Sequence, residues 1–268
     1  FHVPSMSSKS IGFLGFGKMA QSIARGIADK GHSLHYFDPA PGSADLHSQA
    51  AKMGIDRAPT ARELETGCDL LLLCMKPQDL AGALATLEGN KDYISIAAGI
   101  QIQTVLQALP NPKARGARVM PNLGATIGQS VSGIYCPNED LLALALELFS
   151  GIGMAFPVQK EELMHGVTAL SGSGPAYAFL FLQSMGEAGI KEGIPASQSF
   201  EMAARTIKAA MELYLESDEH PAQWITKVSS PGGTTIEGLA ALEDQGVRGA
   251  IIRAVEAAAE RSRELGRS

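Results

Sequence analysis

The stretch SSPGGTT, residues 229–235, sets two glycines and a proline among four hydroxyl side chains, directly ahead of a helical pattern. A turn needs one glycine or two and no threonine pair. Dense backbone donors with little side-chain bulk suit close approach to a small anion. SGSGPAY (171–177) repeats the combination at the head of another helical stretch. Either cluster alone reads as an interhelical turn with a capping serine. Two in one short helical region point to a carboxylate site. A third glycine pattern lies near the start, where IGFLGFGKMA reads as a strand, then Gly15-x-Gly17-x-x-Ala20, then a helix. Gly15 permits the tight turn, Gly17 lets the backbone approach a pyrophosphate, and Ala20 allows close helix–strand packing. The turn from Gly15 to Ala20, with Phe16, Lys18 and Met19, is therefore a candidate dinucleotide site.

Asp38 closes the second apolar run, where a carboxylate would accept hydrogen bonds from an adenosine ribose. A 2′-phosphate would meet its negative charge, and no arginine follows closely in DPAPGSAD. That leans towards NADH over NADPH, with both usable; the alternative for Asp38 is a solvated carboxylate in an Asp-Pro turn. An absence narrows the chemistry. SGSGPAYAFLFLQSMGEAG holds no lysine, histidine or aspartate, and its one glutamate lies well down the helix. Oxidation of an alcohol needs a base. A C=N bond avoids that need, because an imine can be protonated before hydride arrives. Hydroxyls are the side-chain donors left at the centre of the glycine cluster, and Thr235 sits at a helix start.

Two kinds of chain must position these residues. Up to Val158 short apolar runs alternate with helical stretches: residues 11–15, 34–38, 69–75, 93–98, 118–122, 132–136 and 154–158 read as strands. Such alternation predicts a doubly wound α/β Rossmann-type sheet. After Glu161 strand signals stop, and an all-α C-terminal domain is expected. Ser173 with Pro175 reads as a serine cap with proline in the first turn. AYAFLFL is apolar on every side, which predicts a helix buried all round, with a subunit interface to bury it. The expected division is residues 9–160 for the dinucleotide domain and 161–268 for the helical substrate-binding and dimerisation domain. Residues 1–8 read as a disordered start, FHVPS being a cloning remnant ahead of Met6.

At 268 residues, 45% hydrophobic and 19% charged, the chain can bury cores in two domains. A net charge of −6 and a pI near 5.6 argue against nucleic-acid or anionic-membrane partners. Cys68, Cys74 and Cys136 lack a CxxC spacing, which fits a reducing cytoplasm and gives neither disulfide framework nor zinc site. Cys74 reads as a buried structural thiol. His32, His35 and His165 read as surface or capping residues, so no metal is expected. No apolar stretch reaches membrane-spanning length.

RVMPNLG, VTALSGSGPAYAF and the run from KVSSPGGTTIEGL through SREL resemble the motifs of pyrroline-5-carboxylate reductases, the last enzymes of proline synthesis. CMKP and SIAAG are similar to that family's cofactor-contacting segments, and the resemblance extends from Ile11 onwards. It implies reduction of 1-pyrroline-5-carboxylate to L-proline by NAD(P)H. It implies that Ser230, Gly232, Gly233, Thr234 and Thr235 line the substrate loop, with Thr235 hydrogen-bonded to the ring nitrogen. It implies further that Met75, Lys76, Pro77, Ala97 and Ala98 border the dinucleotide and that Asn122 lies in the cofactor neighbourhood. A homodimer through intertwined C-terminal helices follows, with a larger ring left open. Two departures stand out. Gly124 replaces a common proline and is expected to loosen its turn, and Asp38-Pro39-Ala40 stands where many members carry a short polar or basic stretch. Two other readings stay open, a related hydroxy-acid dehydrogenase and a dinucleotide-binding sensor without turnover.

Overall fold

Alternating side chains along each apolar strand supply cores on both faces of one sheet. In the computed structural model, residues 8–39 and 44–266 are described. The proposed start over residues 1–7, and Ala40, lie outside them; the Ser8 hydroxyl donates to Gly31 O at 2.5 Å. The chain runs β1 (Ser10–Leu14), α1 (Lys18–Ile27), β2 (Ser33–Phe37), α2 (Ala44–Lys52), β3 (Asp56–Arg57), α3 (Ala61–Gly67), β4 (Leu70–Leu73) and α4 (Pro77–Leu84). It continues with β5 (Asp92–Ser95), α5 (Ile102–Gln107), β6 (Arg115–Met120), β7 (Ser130–Tyr135), α6 (Glu139–Ser150), β8 (Gly153–Pro157) and α7 (Met164–Val167). Among the described residues these strands form one eight-stranded sheet in the order β3-β2-β1-β4-β5-β6-β7-β8.

Ile11, Phe13, Leu70 and Leu72 face one core with Ile23 and Ile27 of α1. Leu14, Leu71 and Leu73 face the other with Leu64, Leu84 and Val105. Each buried side chain of this size contributes about 1.5–3 kcal/mol. Two features differ from the expected sheet. β3 is a two-residue edge strand with both residues exposed, so no apolar run announces it. β7 runs antiparallel to β6, because a short 3₁₀ turn over Leu123–Ile127 joins them in place of a crossover helix.

By contacts the chain divides into two compact units, one comprising Gly174–Ala257 and the other the remainder, to Ser173 and from Ala258. The helical unit contains α8 (Gly174–Lys191), α9 (Ala196–Leu215), α10 (Pro221–Val228), α11 (Thr234–Asp244) and the start of α12 (Val247–Leu265). α8 and α9 pack closely where Gly186 has no side chain, since a Cβ there would collide with the Phe200 ring, and Ser199 Oγ donates to Gly186 O at 2.7 Å. α8 is not buried by its own chain: Phe179 is 59% and Leu180 65% exposed. No helix among the described residues is long and apolar enough to cross a membrane.

Two local expectations are corrected. Residues 168–172 form a π-helical turn; Ser173 has right-handed helical backbone and donates its N–H to Thr168 O at 2.9 Å, so it is not an N-cap. The i→i+5 bonding uses that amide internally, and SGSGPAY is therefore not a second open cradle of donors. His165 is buried rather than superficial, with Nδ1 2.9 Å from Ser262 Oγ, because the C-terminal turn of α12 covers it.

Candidate active site

The strand order reverses between β2-β1 and β4-β5, and the loops leaving β1 and β4 part at that point to open a crevice. Gly15 lies there at φ +85, its N–H donating to Phe37 O at 2.8 Å, while Cys74 N–H donates to Leu14 O at 2.8 Å. A Cβ on Gly15 would stand 3.2 Å from Cys74 C and Met75 N, so glycine allows the close backbone approach at the base of the crevice, before the two loops part. A Cβ on Gly17 would meet nothing within 4 Å. Gly17 is the N-cap of α1 and no side chain caps that helix. The first-turn amides of Lys18, Met19 and Ala20 thus lack a side-chain acceptor, an arrangement that suits phosphate oxygens.

A cleft of about 840 Å³ runs from Gly15, Gly17, Met75 and Lys76 to Asp38, Pro39, Thr60 and Arg62. A continuation of about 230 Å³ is lined by Met19, Lys76, Pro77, Ala97, Ala98 and Met120. Together these hold a glycine turn with unfilled amides, a carboxylate at one end and an apolar slot at the other, which fits an extended dinucleotide. Lys76 is the N-cap of α4, again without a side-chain cap, with Pro77 following. Burial pushes the Cys74 thiol well above its ordinary range, in keeping with an inert thiol in the cleft wall.

Several expected contacts take other roles. The Phe16 ring is fully buried against Phe13 and Tyr36, and its N–H goes to Asp38 Oδ2 at 2.7 Å. Phe16 therefore anchors the turn from the core and does not line the cleft. Ala20 is buried where α1 packs on the sheet, and Lys18 is exposed in the first turn. Asp38 does line the cleft, held by that same bond.

Asn122 is spent on the protein. Its Oδ1 accepts from Gly124 N–H at 3.0 Å and Val131 N–H at 3.4 Å; its Nδ2 reaches Ser171 O and Oγ at 3.2 Å each. It therefore joins the β6–β7 turn to the π-helical segment and is not free to grip a ligand. Nor does Gly124 loosen this turn. It donates to Asn122, accepts from Gln129 N–H at 2.8 Å, and a Cβ on it would collide with Gln129 O.

The loop carrying Ala97 and Ala98 is pinned on two sides. Ile102 N–H donates to Glu161 Oε1 at 2.6 Å, and buried Arg118 lies 3.5 Å from the same oxygen. Gly99, at φ +80, would place a Cβ 3.1 Å from Leu265 Cβ at the end of α12. Sequence reasoning missed these ties because they join residues distant along the chain. It also missed Arg62, which reaches the cleft from the head of α3 instead of following Asp38. No group of three or more metal-binding side chains occurs among the described residues.

In the helical unit, Gly232 adopts φ +66 and Gly233 is the N-cap of α11 with no side-chain cap bond. A Cβ on Gly233 would collide with Ser230 Oγ, and Gly233 N–H donates to Ser230 O at 3.1 Å. The loop thus folds Ser230 over the helix start, leaving the first-turn amides of Thr234 and Thr235 without a side-chain partner. Thr235 is half-buried, and its hydroxyl has no hydrogen-bond partner among the described residues.

Residues 161–265 match the family model described as pyrroline-5-carboxylate reductase dimerisation, and residues 10–99 the one described as coenzyme F420-dependent NADP oxidoreductase. A pyrroline-5-carboxylate reductase of Methanosarcina acetivorans is 39% identical, covering 98% of this chain and 100% of the relative. The solved enzyme of that name from Streptococcus pyogenes superposes with a TM-score of 0.88 at 30% identity, over 96% of this chain and 99% of that one. Pyrroline carboxylate reductase of Plasmodium falciparum, solved with NADP bound, gives 0.85 at 29% identity, over 97% and 99%.

Proposed function

The chain belongs to the pyrroline-5-carboxylate reductase family, and on that premise we propose how its own residues carry the reaction. The protein is an NAD(P)-dependent oxidoreductase that reduces the C=N bond of 1-pyrroline-5-carboxylate, giving L-proline. The dinucleotide, when bound, supplies the hydride.

The uncapped start of α11 is the observation that carries the substrate assignment. Its amides take the substrate carboxylate, with Ser230 folded beside them and Gly232 and Gly233 keeping side chains out of the way. Thr235 places its hydroxyl at the ring nitrogen and holds the imine in register as the nitrogen passes from iminium to amine. Gly15, Gly17 and the α1 amides hold the pyrophosphate, and Met75, Lys76, Pro77, Ala97 and Ala98 border the nicotinamide half. No strong side-chain acid is required, so rate comes mainly from orientation and exclusion of water. Asn122 acts by fixing the β6–β7 turn against Ser171.

Asp38 supports NADH as the preferred donor, because its fixed carboxylate suits a ribose hydroxyl better than a phosphate. The exposed apolar face of α8 supports a homodimer through the C-terminal helices. Light scattering after size exclusion reads that dimer, and any larger ring, directly. Three free thiols support a reducing cytoplasm as its compartment.

The test is consumption of NADH or NADPH, followed by the absorbance of the reduced nicotinamide, on adding 1-pyrroline-5-carboxylate. Turnover with that imine and none with 2-hydroxy acids is expected. Dinucleotide binding without turnover would return the sensor reading.

A further inference from the structure

Asp38 and Arg62 line the same end of the larger cleft, one from the close of β2 and the other from the first turn of α3. They are not equivalent partners for a ribose. Asp38 is fixed, since its Oδ2 accepts the Phe16 N–H at 2.7 Å. Arg62 is on the surface, its side chain 68% exposed, and its guanidinium is engaged by one oxygen of Glu88, itself 43% exposed. Both Nε and Nη2 of Arg62 donate to that Oε1, with Nε at 2.9 Å. Glu88 Oε2 meanwhile accepts from Asn90 Nδ2 at 3.2 Å. The pair therefore engages one edge of the carboxylate, short of the two parallel bonds that make arginine–carboxylate pairing strong. Exposed ion pairs of this kind contribute little and exchange readily.

A 2′-phosphate brings nearly two negative charges and three acceptor oxygens to this end of the cleft. Arginine matches such a group with two parallel donors, which Glu88 does not receive in full. Building on the reading that the cleft takes a dinucleotide, we propose that Arg62 decides whether a 2′-phosphorylated cofactor is accepted, and that Glu88 competes with the phosphate for it. Without the phosphate, Asp38 takes the ribose hydroxyl and Arg62 stays with Glu88. With it, Arg62 leaves Glu88 and offsets the repulsion from Asp38. The chain thus carries determinants for both cofactors on one wall, and Glu88 sets the balance.

Calorimetric titration with ADP and with 2′,5′-ADP tests this on the wild-type protein, Arg62→Gln and Glu88→Gln. Arg62→Gln should weaken 2′,5′-ADP roughly tenfold or more and leave ADP within about twofold. Glu88→Gln should tighten 2′,5′-ADP several-fold, again without moving ADP. The KM values for NADPH and NADH should shift in the same pattern. Equal weakening of both probes by Arg62→Gln would mean the guanidinium stacks on adenine, and no change would mean it is a surface ion pair; either overturns the proposal while the cofactor site stands. If neither probe binds the wild-type protein, the dinucleotide reading itself falls and takes the proposal with it.

Discussion

The Asp38 carboxylate accepts the Phe16 backbone N–H at 2.7 Å, so the end of β2 holds the glycine turn that follows β1. One side chain thus shapes the phosphate site and presents charge to the ribose site. The two roles separate by substitution. Asp38→Asn keeps an oxygen for Phe16 and removes the charge, so the NADPH-to-NADH ratio of kcat/KM should rise about tenfold with the turn intact. Asp38→Ala also releases the Phe16 amide, so KM for both cofactors should rise. An unchanged ratio in Asp38→Asn would show that the carboxylate serves the turn alone.

At Gly17 the protein itself leaves room for a side chain. Gly17→Val should therefore fold, with Tm within a few degrees of wild type, yet fill the space where backbone meets pyrophosphate. Calorimetry with NADH should show affinity reduced at least roughly a hundredfold, about 2.8 kcal/mol. Near-normal affinity in a folded variant would remove the turn from the cofactor site.

Gly124 makes the opposite case, because there the protein leaves no room. A Cβ would collide with Gln129 O, and proline would also abolish the amide bonded to Asn122. Gly124→Pro should cost about 1–3 kcal/mol, lowering Tm by roughly 2–4 °C for each kcal/mol in a chain of this size. Because Asn122 also holds Ser171, kcat should fall as the turn shifts. A variant as stable and active as wild type would show that the turn tolerates the residue common in the family.

What was legible in the sequence was what local backbone chemistry determines. The Gly15–Ala20 turn, the run of leucines in β4 and the glycine pair before α11 each announce themselves within a few residues. Gly15 and Asp38 fall just past β1 and β2, as turn residues should. The rest depends on partners far along the chain. Ser171 in the π turn at 168–172 meets Asn122, and buried His165 meets Ser262, 97 residues on. Arg62 belongs to the ribose end of the cleft only because α3 packs beside β2. Two exposed residues at the sheet edge carry no apolar signal, and β3 was invisible for that reason.

Phe179 tests assembly. It is 59% exposed on its own chain, so a charge there should not disturb the fold of a lone subunit. If α8 is the dimer interface, Phe179→Glu buries a carboxylate between subunits and should give monomer or aggregate, read by light scattering. A dimeric, fully active variant would place the interface elsewhere.

The substrate loop should fail in two distinct ways. Gly233→Val sets a side chain against Ser230 Oγ and 3.2 Å from Ser230 O, so Ser230 must turn away and bulk fills the approach to the amides at the start of α11. KM for the imine should rise steeply, while NADH binding stays unchanged because its contacts lie in the other unit. Thr235→Ala leaves every backbone donor in place. Since Gly233 is the N-cap and no side chain caps α11, removing this hydroxyl takes away no capping bond, and Tm should hold. Its effect belongs in turnover, where the hydroxyl orients the nitrogen during hydride arrival. Loss of one oriented donor costs about 2.7–4 kcal/mol when charge is developing. On this nitrogen positive charge is diminishing, so a fall in kcat near the lower bound or below it is expected. Thr235→Ser, which keeps the donor, should recover most of the rate. Wild-type kcat in Thr235→Ala would take the residue out of the chemistry, and a lowered Tm with intact kinetics would make it a structural threonine after all.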